Sequence, residues 1–416
     1  MPIDQARARL LTLAKKALDG GPSLLEAISW PRELERRFFA RKCAEVPAPR
    51  YDIDKQAVIE RLARIDSFER ELLGDDAIVR LLRSQVESHR LGARMLLAAG
   101  TREFFELSCK AYGGATTTSF DSDTTNLDFA DHLLARIGRG ERSDDAEEAS
   151  FRYSAGGLAS YIQEKLARRK GAPAVDVLLD DELGAKAIAG RTRLRIRADA
   201  TFEAEEARSL FLHEVETHIF TAQNGHQQPN LRFLQSGGPC ATKTQEGLAV
   251  FAELYAHALT LGRLRRLVER VHLVAMAEDG ASFVDLYRHL VDKGSEPGAA
   301  YLDVARVYRG GVPSGGAPFT KDACYLAGLV EVYDFLRIAV AHDRTTVPEV
   351  LISGRLRIED VEPLLSLRED GVLAPPTHRP SWLRRWEDLL THFAFTSFLA
   401  EIDLGHVAKR YAYLHR

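Results

Sequence analysis

The chain has 416 residues, enough for a large core and for more than one domain. With 45% hydrophobic and 28% charged residues it sits near the globular average, which excludes fibrous and wholly disordered classes. Its 56 basic residues against 60 acidic ones give a formal charge of −4, so no general electrostatic grip on nucleic acid is expected.

The opening stretch, MPIDQARARLLTLAKKAL, is broken by charge every few positions and has neither an apolar signal core nor a small-residue cleavage site. No segment reaches the roughly 18 to 20 uncharged apolar residues that cross a bilayer. Cys43, Cys109, Cys240 and Cys324 are scattered and form no CxxC pair, which suits a reducing compartment and offers no thiolate metal cage. A cytoplasmic protein with no membrane partner is expected.

From Ile3 to about Leu97 apolar residues recur at helical spacing, as in Ile59, Leu62, Ile65 and Phe68, which predicts a helical N-terminal region over 1–110. The rest of the chain, 111–416, is expected to form the functional region, continuous or not with those helices. KAYGGATTTSFDSD, Lys110 to Asp123, reads as a loop, and the charged run Gly138 to Ser150 as an exposed one. A helix is expected around Leu158 to Leu166. Two short apolar runs, Val175 to Leu179 and Thr192 to Ile196, are assigned to strands of a small sheet, with Thr192 to Arg197 as its edge. From there to Arg416 the chain reads as mostly helical, apart from the glycine-rich passage Gly310 to Gly316. The fold class expected is α+β, dominated by helices.

Phe211 to Phe220 reads FLHEVETHIF, and Leu212, Val215 and Ile219 mark the buried stripe of a packed helix. His213, Glu214 and His218 form HExxxH, one residue longer than the HExxH in which histidines one turn apart share a zinc ion. On a regular helix a step of five residues turns the side chain by about 500°, leaving the histidines roughly 140° apart. A local π-turn would reduce the divergence to roughly 50°. Asn224-Gly225 lies just beyond and reads as a helix stop, where loosening would have the same effect. A catalytic zinc needs a third protein ligand, and TQEGLAVFAELYAHAL supplies Glu246 near the start of a second stripe, Phe251, Leu254, Tyr255 and Ala258. The alternative on pattern alone is two half-exposed helix histidines beside a solvated Glu214. Glu253 and His257 fall on the face of Glu246 and could support the ligands or serve the core. His226 reads as a loop residue rather than a fourth ligand.

QEGLA at Gln245 to Ala249, after HEVETH at His213 to His218, resembles the family of flavohaemoglobin expression-modulating QEGLA-motif proteins, whose eukaryotic relatives are microtubule-associated tyrosine carboxypeptidases. NGHQQP after the first motif and RVYRGGVPSGGAPFTKDACYLAGL, Arg306 to Leu329, share the resemblance. It implies a zincin-like core of the gluzincin type with a small sheet beside the metal helix. It also implies one Zn2+ per chain held by His213, His218 and Glu246, with Glu214 as catalytic base. The expected partner is a peptide or protein C-terminus, with tyrosine or another aromatic as the released residue. The alternative is a regulatory zinc-binding protein without catalysis.

A carboxypeptidase must also hold the terminal carboxylate with a cation. Arg306, Arg309 and Lys321 in the glycine-rich passage, and Lys110 in the earlier loop, are the candidates, with Tyr325 as hydroxyl donor to the developing oxyanion. The oligomeric state is not legible in the sequence.

Overall fold

The computed structural model describes residues 5–118, 123–137, 151–404 and 409. Five helices, α1 (Gln5–Leu18), α2 (Leu24–Ala27), α3 (Arg32–Ala40), α4 (Lys55–Glu69) and α5 (Ala77–Leu97), form the N-terminal region as the periodicity predicts. Ile65 and Phe68 of α4 are buried, while Ile59 stays half exposed. Helices α6 (Arg102–Tyr112) and α7 (Asn126–Ile137) come next. The loop predicted from Lys110 therefore begins only at Gly113, whose φ of 74° closes α6. The run Gly138 to Ser150 lies outside the described residues.

Strand β1 (Arg152–Ser154) leads into α8 (Ala155–Ala167), then β2 (Asp176–Asp180), β3 (Ala187–Ala189), β4 (Arg193–Arg197) and β5 (Thr201–Glu203). β1 pairs with β5, and the other three form a sheet in the order β2-β4-β3. This overturns the expectation for Thr192 to Arg197. That segment is the central strand, parallel to β2 and antiparallel to β3, so both its edges are taken. Ala187-Ile188-Ala189 lacks the run of β-branched residues that marks a strand, yet it hairpins with β4 and closes the edge.

A continuous helical rod then runs through α9 (Ala204–Leu210), a π-helix (Phe211–Ile219) and α10 (Phe220–Gln227). The expected stop at Asn224-Gly225 is not one. Asn224 is buried, its amide donating to the carbonyls of Ile352 and His378. Gly225 is needed for close approach, since a Cβ there would come within 2.5 Å of the Leu234 backbone. Next come α11 (Thr242–Tyr255), α12 (Leu261–Glu278), α13 (Phe283–Asp292), α14 (Pro297–Tyr308), α15 (Cys324–Ala341), α16 (Thr346–Leu351), α17 (Val361–Glu369) and α18 (Trp386–Ala400). The described chain is mostly helical with small sheets. No described helix is long and apolar enough to cross a membrane.

The π-helix sits where two cores meet. Phe211, Val215, Ile219 and Phe220 pack with Leu194, Ile196 and Phe202 of the sheets and Leu158 and Ile162 of α8. Leu212 joins the larger cluster, in which Leu11, Leu18 and Ile65 of the N-terminal helices share one interior with Phe251 of α11 and Leu336 of α15. α11 is buried from Thr244 to Glu253, not along a stripe, and Leu254 is exposed.

Candidate metal centre

The extra residue in HExxxH is absorbed by the π-turn. Thr217 Oγ1 donates to the carbonyl of Leu212, five residues back, at 3.0 Å, which satisfies backbone in the widened turn. Glu216 anchors the opposite face: its buried carboxylate takes the Arg169 guanidinium and both the backbone N–H and hydroxyl of Ser381. With about 82° per residue instead of 100°, His213 and His218 come onto one side. Their rings lie 4.9 Å apart at 82° to each other.

α11 brings Glu246 against them. Its Oε2 is 3.3 Å from His213 Nε2 and 3.5 Å from His218 Nε2, and the three ligand atoms lie within 4.8 Å of one another. That oxygen is buried and has no hydrogen bond. Donors about 2.1 Å from a tetrahedral ion are about 3.4 Å from one another, so the two measured separations match edges of such a shell. The three side chains can hold a metal ion. Two features of α11 fix the placement. Gln245 accepts a 2.7 Å hydrogen bond from Thr221 of α10, and Gly247 lets α15 approach so closely that a Cβ would fall 2.1 Å from the Gly328 carbonyl oxygen.

Glu253 contacts His213 from the side away from Glu246. Its Oε1 is 2.7 Å from His213 Nδ1, and Ser209 and Arg263 also bind it. Burial alone would raise the Glu253 carboxyl, but Arg263 and His213 hold it down at about 2. An ionised Glu253 accepts the proton on His213 Nδ1 and leaves Nε2 as the nitrogen that faces Glu246. Burial opposes a charged His213, yet its contacts to Glu246 and Glu253 raise its pKa to about 9. His257 has no part in this; it lies past α11 at φ 52° and is exposed. His226 belongs to α10, not to a loop, and contacts Gln235 and Arg232 away from the triad.

The carboxylate of Glu214 is half-buried and makes no hydrogen bond or ion pair among the described residues. Tyr325 stacks on His213 at 6.5 Å and 16°, and its oxygen accepts from Lys321 Nζ at 2.9 Å. The same ammonium donates to Glu246 Oε1 at 2.6 Å. Burial raises the Tyr325 hydroxyl, with Glu246 adding and Lys321 opposing. The phenol therefore stays protonated near neutrality.

The four cations expected to meet substrate are disposed differently. Lys321 is sealed against Glu246, and Arg306 is held by Asp322 through two 2.7 Å hydrogen bonds. Arg309 lies half-buried over the Phe319 ring, its pKa lowered to about 10 by burial and by Arg306. Lys110 is exposed in the last turn of α6. Sequence reasoning missed Asp322, whose burial among arginines only the fold creates, and Arg355, whose guanidinium donates to the His218 carbonyl at 3.3 Å. Arg355 lies far along the chain in an unremarkable turn, and no local pattern marks it.

Residues 36–401 match the family described as microtubule-associated tyrosine carboxypeptidase. No curated protein matches the chain. Among solved structures, Trypanosoma cruzi metallocarboxypeptidase 1 aligns over 94% of both chains at 14% identity, with a TM-score of 0.38, too low to carry an argument. The family match spans the π-helix, α11 and Tyr325 alike, and by it the chain belongs to the microtubule-associated tyrosine carboxypeptidase family.

Proposed function

We propose that this protein is a zinc-dependent carboxypeptidase that releases one residue, tyrosine or another aromatic, from the C-terminus of a peptide or protein. The observation that carries the reading is Glu246 Oε2, buried without a hydrogen bond between two imidazole nitrogens at tetrahedral-edge distances, with an unpaired Glu214 beside them. His213, His218 and Glu246 are the ligands. Three protein ligands leave a position for water, whereas structural zinc sites close their shell with four. Zinc, when bound, supplies Lewis acidity to the scissile carbonyl and lowers the pKa of a water toward about 7.

The chain's own groups do the rest. Glu214 accepts the water proton and returns it to the leaving amine. Lys321 donates to the Tyr325 oxygen, so the phenolic hydrogen is free to point at the oxyanion that forms on the carbonyl. Glu253 keeps His213 in the tautomer that presents Nε2.

The test couples metal content, by mass spectrometry on wild type and His218→Ala, to a panel of peptides differing only in the C-terminal residue. Expected are stoichiometric zinc and single-residue release by wild type, both lost in the variant. Wild type that takes up no zinc under metal-replete conditions sinks the reading.

A further inference from the structure

Arg355 is a guanidinium that the mechanism leaves unused. Arg355 lies beyond the end of α16, and its backbone is fixed: its N–H donates to Leu234 at 2.7 Å, and its carbonyl lies where a Cβ on Gly237 would approach to 2.3 Å. Its side chain reaches the metal helix, with Nη2 on the His218 carbonyl at 3.3 Å. Nε is buried with no acceptor. Nη1 likewise has no acceptor among the described residues, but it is not sealed from solvent.

The neighbouring cations are already answered by carboxylates: Arg263 by Glu253, Arg306 by Asp322 and Lys321 by Glu246. Arg270 lies over the Tyr325 ring, with Asp322 at 3.9 Å. Arg355 has no carboxylate within 4.0 Å among the described residues, although Glu214 and Glu246 both act on its charge against the effect of burial. A largely buried guanidinium without a counter-ion is costly, and one whose Nη1 still reaches solvent is satisfied when an anion arrives.

The substrate's own geometry says where that anion comes. Three bonds of about 1.5 Å or less join the scissile carbonyl carbon to the terminal carboxyl carbon, so the two lie within about 4 Å. The cation must therefore border the ligands themselves. Arg355 meets the His218 backbone carbonyl at 3.3 Å, and the charges of Glu214 and Glu246 both act on it. Arg309, also without a carboxylate within 4.0 Å among the described residues, lies over the Phe319 ring, where Arg306 repels its charge and Asp322 attracts it.

We propose that Arg355 receives the α-carboxylate of the substrate's last residue, through the free edge of its guanidinium, and so makes the enzyme an exopeptidase. This rests on the carboxypeptidase reading. The planar fork of arginine suits a carboxylate, and a lysine could not reproduce both its donors.

The test uses two peptides identical except that one ends in a free carboxylate and the other in a carboxamide. They are assayed with wild type, Arg355→Gln and Arg355→Lys alongside zinc content. Wild type should prefer the free acid. Arg355→Gln should lose about a hundredfold or more in kcat/KM on the acid, mostly through KM, should change little on the amide, and should keep its zinc. Arg355→Lys should fall between them, and carries the test alone if the glutamine variant does not fold. Unchanged kinetics on the acid overturn the inference. So does equal loss on both peptides together with loss of zinc, which would make Arg355 a prop for His218. Zinc-loaded wild type that releases nothing from either peptide brings down the carboxypeptidase reading, and the inference with it.

Discussion

Glu253 Oε1 stands 2.7 Å from Nδ1 of His213, so α11 supplies both the carboxylate in front of that imidazole and the one behind it. Residues 246 and 253 are seven apart, two turns of one helix face. A single helix thus sets both carboxylates on His213 together.

Replacing Glu253 by Gln removes the charge behind His213 and leaves Arg263 without its buried partner. Zinc affinity should fall about 10- to 100-fold, measured by competition with a chelator. Unaltered affinity would show that the 2.7 Å contact does not tune the ligand.

Glu214→Gln keeps the volume and removes the base. The expected result is stoichiometric zinc with kcat reduced about 10²- to 10⁴-fold. Normal turnover by this variant would remove Glu214 from its assigned role.

Tyr325→Phe deletes one hydroxyl and leaves the stack on His213. If that hydroxyl serves the oxyanion, kcat should drop about 10²- to 10³-fold with KM nearly constant. A change confined to KM would point to ground-state binding instead.

Gly247→Ala places a methyl group 2.1 Å from the Gly328 carbonyl oxygen, and backbone cannot yield as a side-chain end can. α11 and α15 must separate, at a cost of about 1–3 kcal/mol or more, and Glu246 moves relative to Lys321 and Tyr325. Urea denaturation and peptidase assays should both register it. Gly262→Ala on α12 meets nothing within 4 Å and should be neutral or stabilising by up to about 1 kcal/mol.

Stability should fall in acid because of His89. Burial, with repulsion from Arg61, depresses its pKa to about 3 in the fold, against about 6.5 in the unfolded chain. As pH falls below about 6.5 the unfolded state takes up the proton first, so the folded state loses up to about 1.4 kcal/mol per pH unit until about pH 3. Melting temperature followed across that window should decline, and His89→Gln should flatten its share of the slope. An identical slope in the variant would assign the acid sensitivity elsewhere.

The sequence by itself determined the elements and their chemistry. The HExxxH and QEGLA spacings, the stripe Leu212-Val215-Ile219, the N-terminal helices and the strands near 176–180 and 193–197 are all local patterns, set by residue type and periodicity over short stretches of chain. The same spacing left open whether His213 and His218 converge, because a regular helix and a π-turn accept the same letters. The π-turn depends on partners outside its own segment: Ser381 and Arg169 on Glu216, and Gln245 on Thr221 just beyond it. Tertiary structure alone decided that β4 is central, that Arg306 and Lys321 are neutralised, that Gly225 marks a close approach rather than a stop, and that Arg355 has no carboxylate within 4.0 Å among the described residues. A charged side chain's pairing is fixed by which carboxylate lies within about 4 Å, where Coulomb energy is large, and that distance is a property of the packed chain, not of the order of its residues.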